Sequence, residues 1–233
     1  MSAMVGRLGA SHSRCSRCLL MSDLMNKEIS VLLHDVPTHA DYACDATDLD
    51  PEDIPEDRIE QVINLLNSSD ENIVFKAAKL LTNWGQSSGF DALVNLLNEN
   101  KLDGYIDHRL HGYDDTLQHV LSAFVRYWAF QADLGFGEQA RIKIFHPIQK
   151  IIEISNTEPF DISRLFWLID DEKYDEYIPL IKNHLIQIID HPELQFWKIH
   201  DAIELMLKLE PEFVHNLLEE KGKTLEDFKI NTL

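Results

Sequence analysis

The residues best equipped for chemistry lie between Asp107 and Asp115. Two imidazoles, His108 and His111, stand three positions apart, and Asp107, Asp114 and Asp115 bring carboxylates within nine residues. Imidazole and carboxylate groups are the donors that a divalent metal ion needs. Because Gly104 and Gly112 stand on either side of Asp107–His111, however, we expect a mobile loop that presents polar groups to a partner.

Tyrosines accompany the acidic residues at two places along the chain. Such side chains offer amphipathic contact area of the kind found at protein interfaces. The first place is the loop just described, and the second is an acidic turn at residues 170–177. The predicted partner-binding residues are Tyr105, Asp107, Tyr113, Asp114, Asp115, Asp170, Asp171, Glu172, Tyr174, Asp175, Glu176 and Tyr177.

Three further patterns lack the context that catalysis requires. Gly85-Gln-Ser-Ser-Gly89 matches G-x-S-x-G, but that motif needs a strand, a turn and a helix, whereas here it joins two predicted helices. Glu212-Phe-Val-His215 is one E-x-x-H unit, and a four-helix di-iron site needs two. Cys15 and Cys18 form a single C-x-x-C, which is half of a structural zinc site. We therefore expect no catalytic residue, metal or cofactor.

Charge narrows the choice of partner. The chain has 21 basic and 40 acidic residues among 233, a net charge of -19. Such acidity opposes binding to nucleic acid or to anionic lipid, and favours a basic protein. No apolar run reaches the roughly 18 residues that cross a bilayer. With three scattered cysteines, the composition is typical of a reducing compartment, so a cytoplasmic protein is expected.

Composition divides the chain into three parts. Residues 1–25 are rich in Arg and Ser and carry only one acid, which predicts a flexible or non-native extension, with Met21 or Met25 as alternative starts. Residues 26–55 hold most of an acidic run that Pro51 and Pro55 interrupt. Repulsion between like charges, together with proline, predicts a linker or loop with little regular structure. Residues 56–233 form the third part.

Apolar residues recur at three- and four-residue steps from Glu56 onwards, which predicts amphipathic helices with short connections and essentially no sheet. Pro147 predicts a kink or a break in its helix. After the first three helices, the predicted helical segments are 116–132, 138–154, 163–168, 177–189, 194–209 and 212–220.

One helical pattern occurs twice. The segment from Asp70 to Trp84 returns 44 residues later as the segment from Asp114 to Trp128, with an Asp fourteen positions ahead of a Trp in both copies. A period of this length indicates a helical repeat. Each Asp stands where an N-cap or first-turn acid would accept backbone N–H groups.

Residues 73–85, followed by 90–97, resemble a HEAT-like repeat of the PBS-lyase type. In that family two helices run antiparallel, and small residues such as Ala77 and Ala78 mark their crossing. The second copy departs from the pattern at residues 120–123, and later units keep the layout but lose the register. The resemblance implies an all-α fold, a short irregular α-solenoid of HEAT-like antiparallel helix pairs.

Arrays of this kind usually work as binding surfaces. We therefore expect a non-enzymatic protein-binding module whose acidic, Tyr-bearing surface binds a basic protein. Some bacterial immunity proteins resemble HEAT-like arrays, and this resemblance implies an immunity or antitoxin protein that neutralises a toxin domain, such as a nuclease. The alternatives are an intracellular scaffold or assembly factor, and a helical metal-dependent enzyme that uses the His108/His111 region.

Overall fold

The computed structural model describes residues 26–230, and this part of the chain is all-helical, as predicted. No β-strand occurs within it, and a single isolated bridge joins Asp107 to Asp114. The predictions for residues 1–25, including Cys15 and Cys18, lie outside the described residues. The helices are α1 (26–34), α2 (Glu56–Leu65), α3 (Glu71–Asn83), α4 (Ser87–Asn98), α5 (Thr116–Asp133), α6 (Gly137–Ser155), α7 (Phe166–Asp170), α8 (Ile178–Ile188), α9 (Pro192–Leu209) and α10 (Pro211–Lys221).

Both repeated aspartates cap a helix, although in different ways. Asp70 precedes α3, and its carboxylate accepts the backbone N–H groups of Asn72 at 2.9 Å and Ile73 at 3.4 Å. Asp114 lies two residues before α5 and accepts the N–H of Thr116 at 3.0 Å through one oxygen. Its other oxygen accepts the N–H of Gly104 at 3.0 Å, so the same carboxylate also ties the preceding loop to α5.

Close approach of α3 and α4 depends on small residues. Ala77 and Ala78 in α3 have no exposed surface. A Cβ at Gly89 of α4 would lie 2.4 Å from the Cβ of Leu81 and 2.7 Å from the carbonyl oxygen of Ala78. A side chain at Gly89 would therefore push the two helices apart.

The helices pack in a chain of neighbours. Helix α3 contacts α2, α4 and α5, while α5 contacts α6 and a 3-10 turn at Ser163–Leu165 that leads into α7. Helix α9 contacts that turn, α7, α8 and α10. The contacts therefore connect α3, α5, α7 and α9 in this order, with the 163–165 turn between α5 and α7, and apolar residues of all four helices share a continuous core.

The segment that precedes α2 differs from the expected linker. Residues 26–34 form α1, and two 3-10 turns at Ala46–Asp48 and Pro51–Asp53 follow. Leu33, Ala46, Leu49 and Ile54 are buried in a second core cluster against α2 and α3. Acidic residues do occupy the segment, but its apolar residues supply the interactions that fold it back.

Trp84 holds this N-terminal segment to the end of α3. The indole is fully buried and its Nε1–H donates to the carbonyl oxygen of Ala46 at 2.7 Å. The guanidinium of Arg58 lies 5.1 Å from the indole ring centre, and its Nε–H donates to the carbonyl oxygen of Leu32 in α1 at 3.0 Å. One aromatic side chain thus organises contacts from three parts of the chain.

Pro147 does not break its helix, because α6 continues from Gly137 to Ser155 with Pro147 inside. The ring is buried, and its missing N–H removes one helical hydrogen bond but leaves no unpaired donor. None of the helices among residues 26–230 combines the length and apolarity needed to cross a membrane.

Replacing Trp84 with Phe should lower the free energy of unfolding by about 1–3 kcal/mol, because the buried carbonyl of Ala46 loses its donor. Urea unfolding of the full chain measures the change. Trp197→Phe is the matched control, since Trp197 is 60% exposed, and its effect should stay within about 0.5 kcal/mol. Equal effects at both positions would show that the indole hydrogen bond does not anchor the N-terminal segment.

His184 makes stability depend on acid. Its Nδ1–H donates to Asn156 Oδ1 at 2.8 Å, while Nε2 is buried without a partner in the described residues. Burial, with a smaller contribution from the ammonium of Lys198, lowers the pKa of His184 from 6.5 to about 4. Below pH 6.5 the unfolded chain binds a proton here that the folded chain refuses, so folding is progressively weakened between pH 6.5 and 4.

Between pH 7 and pH 5, wild type should therefore lose about 2 kcal/mol more unfolding free energy than His184→Gln, which cannot titrate at this position. Urea unfolding of both proteins at the two pH values gives the difference, in which contributions from other titrating groups cancel. An equal loss in the two proteins would mean that buried Nε2 accepts its proton without penalty.

Candidate functional site in a polar groove

The predicted binding loop before α5 is held firmly in place. The ring of Tyr105 stacks on buried Phe75 of α3 with centres 4.3 Å apart. The backbone N–H groups of Tyr105 and Ile106 both donate to Thr116 Oγ1 at 3.0 Å. These contacts, with the Asp114 cap, fasten both ends of the loop to α3 and α5.

The two histidines of this loop close a turn. His108 Nδ1 accepts the backbone N–H groups of Leu110 at 3.2 Å and His111 at 3.1 Å. The ring of His108 stacks against those of both His111 and Tyr113, with centres 4.9 Å and 4.5 Å away. One nitrogen of His108 is therefore committed to the backbone. Among the described residues, three side chains that could hold a metal ion converge at α9 and not in this loop.

The acidic residues of the loop differ in accessibility. Asp107 is exposed, and Tyr113 and Asp114 are half-buried. Asp115 is only 7% exposed, and burial raises the pKa of its carboxyl. Its carboxylate lies 3.8 Å from His119 Nε2, one turn further along α5. Asp115 is thus an interior group and not the surface contact that was predicted.

The tyrosines of the second predicted segment are also interior residues. Tyr174 is 4% exposed and meets Trp128 edge to face at 5.4 Å, with the guanidinium of Arg141 4.0 Å from its ring centre. Tyr177 has no exposed surface. Burial raises the pKa of Tyr174 to about 12 and moves that of Tyr177 further in the same direction. Neither tyrosine can offer contact area to a partner, which corrects their assignment.

The acids around these tyrosines divide into paired and exposed groups. Arg141 donates to both carboxylate oxygens of Glu176, and Lys208 Nζ lies 2.9 Å from Asp170 Oδ2. The guanidinium holds the pKa of Glu176 below its usual value. The remaining predicted acids are exposed: Asp171, Glu172 and Asp175.

The two predicted segments do not meet. Asp115 precedes the first residue of α5, whereas Tyr174 contacts α5 at Trp128. Thirteen residues of helix separate these points, which corresponds to about 20 Å at 1.5 Å per residue. The acidic segments therefore lie near opposite ends of α5 and do not form one patch.

Another set of residues does meet, in what we call the central groove. Its first part is a cavity of about 610 Å³ between the turn at residues 45–48, α3, α5 and α7. Its second part, about 350 Å³, runs between α7 and α9. Trp167 lines both parts and is 37% exposed. The polar side chains of the first part are Asp45, Thr47, Asp48, Lys79, Asn83, Gln118, His119, Ser122, Arg126 and Arg164.

Cations mark the first part of the groove. Arg126 Nη1 lies 2.8 Å from Asp48 Oδ1 and so joins α5 to the N-terminal segment. Burial lowers the pKa of Lys79, and burial together with the Lys79 ammonium lowers that of His119. Arg164 is exposed at the boundary with the second part. This part of the groove therefore carries mixed charge, with Lys79, Arg126 and Arg164 set against the carboxylates of Asp45 and Asp48.

Carboxylates mark the second part. Asp171, Asp201 and Glu204 line it together with the paired Asp170. Burial raises the pKa of Asp201, and the nearby carboxylate of Asp161 acts in the same direction. The ammonium of Lys198 opposes this rise, but its own pKa is lowered by burial while Asp161, Asp115 and Asp201 act to raise it. The carboxylates of Asp161, Asp115 and Asp201 thus share the electrostatic field of one ammonium, that of Lys198.

A weak sequence signal for the groove exists. Gln118, Ser122 and Arg126 recur at four-residue steps along α5, as do Lys79 and Asn83 along α3. Such spacing places polar side chains on one face of each helix. That pattern is also the ordinary pattern of a solvated face, so only the packing of α3, α5 and α7 identifies these residues as one lining.

Comparison of the chain with protein-family models, curated proteins and solved structures found no match.

Replacing Lys198 with Met should raise the pKa of Asp201 further, because the ammonium that opposes burial and Asp161 is removed. Carboxyl ¹³C NMR of Asp-labelled full chain across a pH titration measures the shift. Lys208→Met is the matched control, since Lys208 lies on the same helix but pairs with Asp170 of α7. An unchanged pKa of Asp201 in Lys198→Met would show that the Lys198 ammonium does not act on this carboxyl.

Proposed function

We propose that the protein is a non-enzymatic protein-binding module and that it holds a segment of a basic partner protein in the central groove. The observation that carries the proposal is the groove itself, which is lined by α3, α5, α7 and α9 and changes from mixed charge to predominantly acidic on either side of Trp167. A surface built from successive helices is what helical repeat proteins use to bind extended partners.

The pairing of helices supports a short irregular solenoid of HEAT-like pairs as the underlying architecture. Helix α3 packs on α4, α5 packs on α6, and both α3 and α5 follow a capping aspartate. The sharp approach at Gly89 matches the small residues that the resemblance places at a helix crossing. Short α7 interrupts the regularity, and the two parts of the groove share Trp167 of this helix.

Trp167 is the expected anchor of binding. A tryptophan that is partly exposed at the middle of a groove can be covered completely by a partner, and such residues dominate binding energy at interfaces. The surrounding charges would orient the partner more than they would strengthen binding. The binding residues in this proposal are Arg164, Trp167, Asp171, Asp201 and Glu204, in place of the buried tyrosines.

The acidic part and the net charge of -19 favour a partner with exposed Lys or Arg side chains. An immunity or antitoxin protein that neutralises a basic toxin, such as a nuclease, in the cytoplasm fits this chemistry. An intracellular scaffold or assembly factor differs only in its partner. A metal-dependent enzyme based on His108 and His111 has less support, because His108 Nδ1 is already engaged by the backbone.

Affinity purification with the full chain, followed by mass spectrometry, identifies the partner, and titration with the purified partner measures its Kd. Trp167→Ala should weaken binding roughly thirtyfold, as expected for a 2 kcal/mol anchor. Asp171→Asn should weaken binding less but flatten its dependence on salt, since an exposed charge acts mainly over distance.

Two controls separate the groove from the rest of the surface. Trp197 is exposed on α9 outside the groove lining, and Glu219 is exposed on α10. Trp197→Ala and Glu219→Gln should leave the Kd within about twofold of wild type. Binding that is indifferent to salt, or that Trp197→Ala weakens as much as Trp167→Ala, would refute the proposed groove.

A further inference from the structure

Three potential metal ligands lie together on one face of α9. His200, Asp201 and Glu204 are neighbours across one helical turn, and one ligand atom from each lies within 4.8 Å of the others. This is the single place among residues 26–230 where three such side chains converge in this way. Its donors are one imidazole and two carboxylates, so it is more than a cluster of acids.

The imidazole is oriented from outside the cluster. His200 Nδ1 lies 2.7 Å from the carbonyl oxygen of Phe228, in the 3-10 turn at Glu226–Phe228. A carbonyl can only accept, so Nδ1 carries the hydrogen and Nε2 keeps its lone pair. Histidines that bind metals are fixed in the same way, through a hydrogen bond from the other ring nitrogen to a carbonyl or carboxylate.

No described residue forms a hydrogen bond with the free Nε2 of His200. His200 Nε2 lies 3.6 Å from Glu204 Oε1, which is beyond hydrogen-bonding distance. The imidazole side chain is only 16% exposed, whereas that of Glu204 is 56% exposed. A lone pair is thus held at the edge of the protein, next to two carboxylates and open to solvent on one side.

The negative charge of Asp201 and Glu204 is also not balanced by a neighbouring Lys or Arg side chain. Among the described residues, Asp201 forms no ion pair within 4.0 Å, and the one basic group that close to Glu204 is the His200 ring at 3.6 Å. Lys198 forms no ion pair within 4.0 Å in the described part of the chain and shares its field with Asp115 and Asp161. A positive ion beside Asp201 and Glu204 would relieve repulsion that the protein's own side chains leave in place.

We propose that α9 binds one divalent transition-metal ion through His200 Nε2 and the carboxylates of Asp201 and Glu204. A mixed nitrogen and oxygen set suits Zn²⁺, for which His and Asp or Glu are ordinary ligands. Three protein donors leave a coordination position for water. The site is separate from the loop histidines considered first, and it does not depend on the proposed partner, because the ion binds the isolated chain.

Isothermal titration of the full chain with Zn²⁺ tests the proposal. Cys15, Cys18 and Cys44 are replaced with Ser in the reference protein, because thiolates compete for zinc. The reference should bind one Zn²⁺. Removal of outer-shell partners already weakens metal binding by about 10–100-fold, so His200→Asn, Asp201→Asn and Glu204→Gln should each weaken it at least as much. His215→Asn, on the neighbouring helix α10, is the control and should bind as the reference does.

His200→Asn also loses the hydrogen bond to Phe228, so its fold is checked by circular dichroism. Glu204→Gln keeps the proposal testable in any case, because that side chain is mostly exposed and makes no hydrogen bond among the described residues. A reference protein that does not bind Zn²⁺, or binding that Glu204→Gln and Asp201→Asn leave unchanged, would overturn the site. Neither outcome affects the groove anchor at Trp167, which is tested without metal.

Discussion

Helix α5 must bury most of its circumference, because α3, α6 and the 163–165 turn all pack against it. Val120, Leu121 and Phe124 have no exposed surface, and Tyr127 and Trp128 are nearly as deep. Such a helix is left with one narrow face for polar side chains. That face carries Gln118, Ser122 and Arg126, and its neighbours on α3 and α7 turn it into the floor of the central groove. The burial of the other faces of α5 therefore determines where Gln118, Ser122 and Arg126 lie, because only one face of the helix remains unpacked.

Charge acts on this framework as a second constraint. With 40 acids and 21 bases, 19 acids have no basic counterpart. The bases that form ion pairs often join separate elements: Arg126 reaches Asp48 in the N-terminal segment, Arg141 reaches Glu176, and Lys208 reaches Asp170. Surface pairs of this kind contribute little to stability. Their consequence is for the charge of the groove, because they neutralise some carboxylates and leave Asp171, Asp201 and Glu204 as its negative part.

The sequence predicts the helices well for a physical reason. Apolar periodicity records which face of a segment is buried, and the predicted segments 116–132, 138–154 and 194–209 lie within one or two residues of α5, α6 and α9. Periodicity does not record which loops fold back onto the core. Tyr174 and Tyr177 lie in an acidic turn that looks exposed, yet Trp128 and Arg141 draw Tyr174 inside. Helix α1 and the groove depend in the same way on contacts between residues far apart in sequence.

The proposed ion and the proposed partner would share the acidic part of the groove, so their binding would be coupled. A divalent ion on Asp201 and Glu204 removes negative charge that a basic partner would otherwise meet, and by linkage each ligand then weakens the other by the same factor. The coupling reverses if a partner side chain completes the metal's coordination in place of water. The sign of the coupling would thus distinguish a partner that is attracted only by charge from one that also binds the ion, and the proposed anchor at Trp167 would contribute in either case.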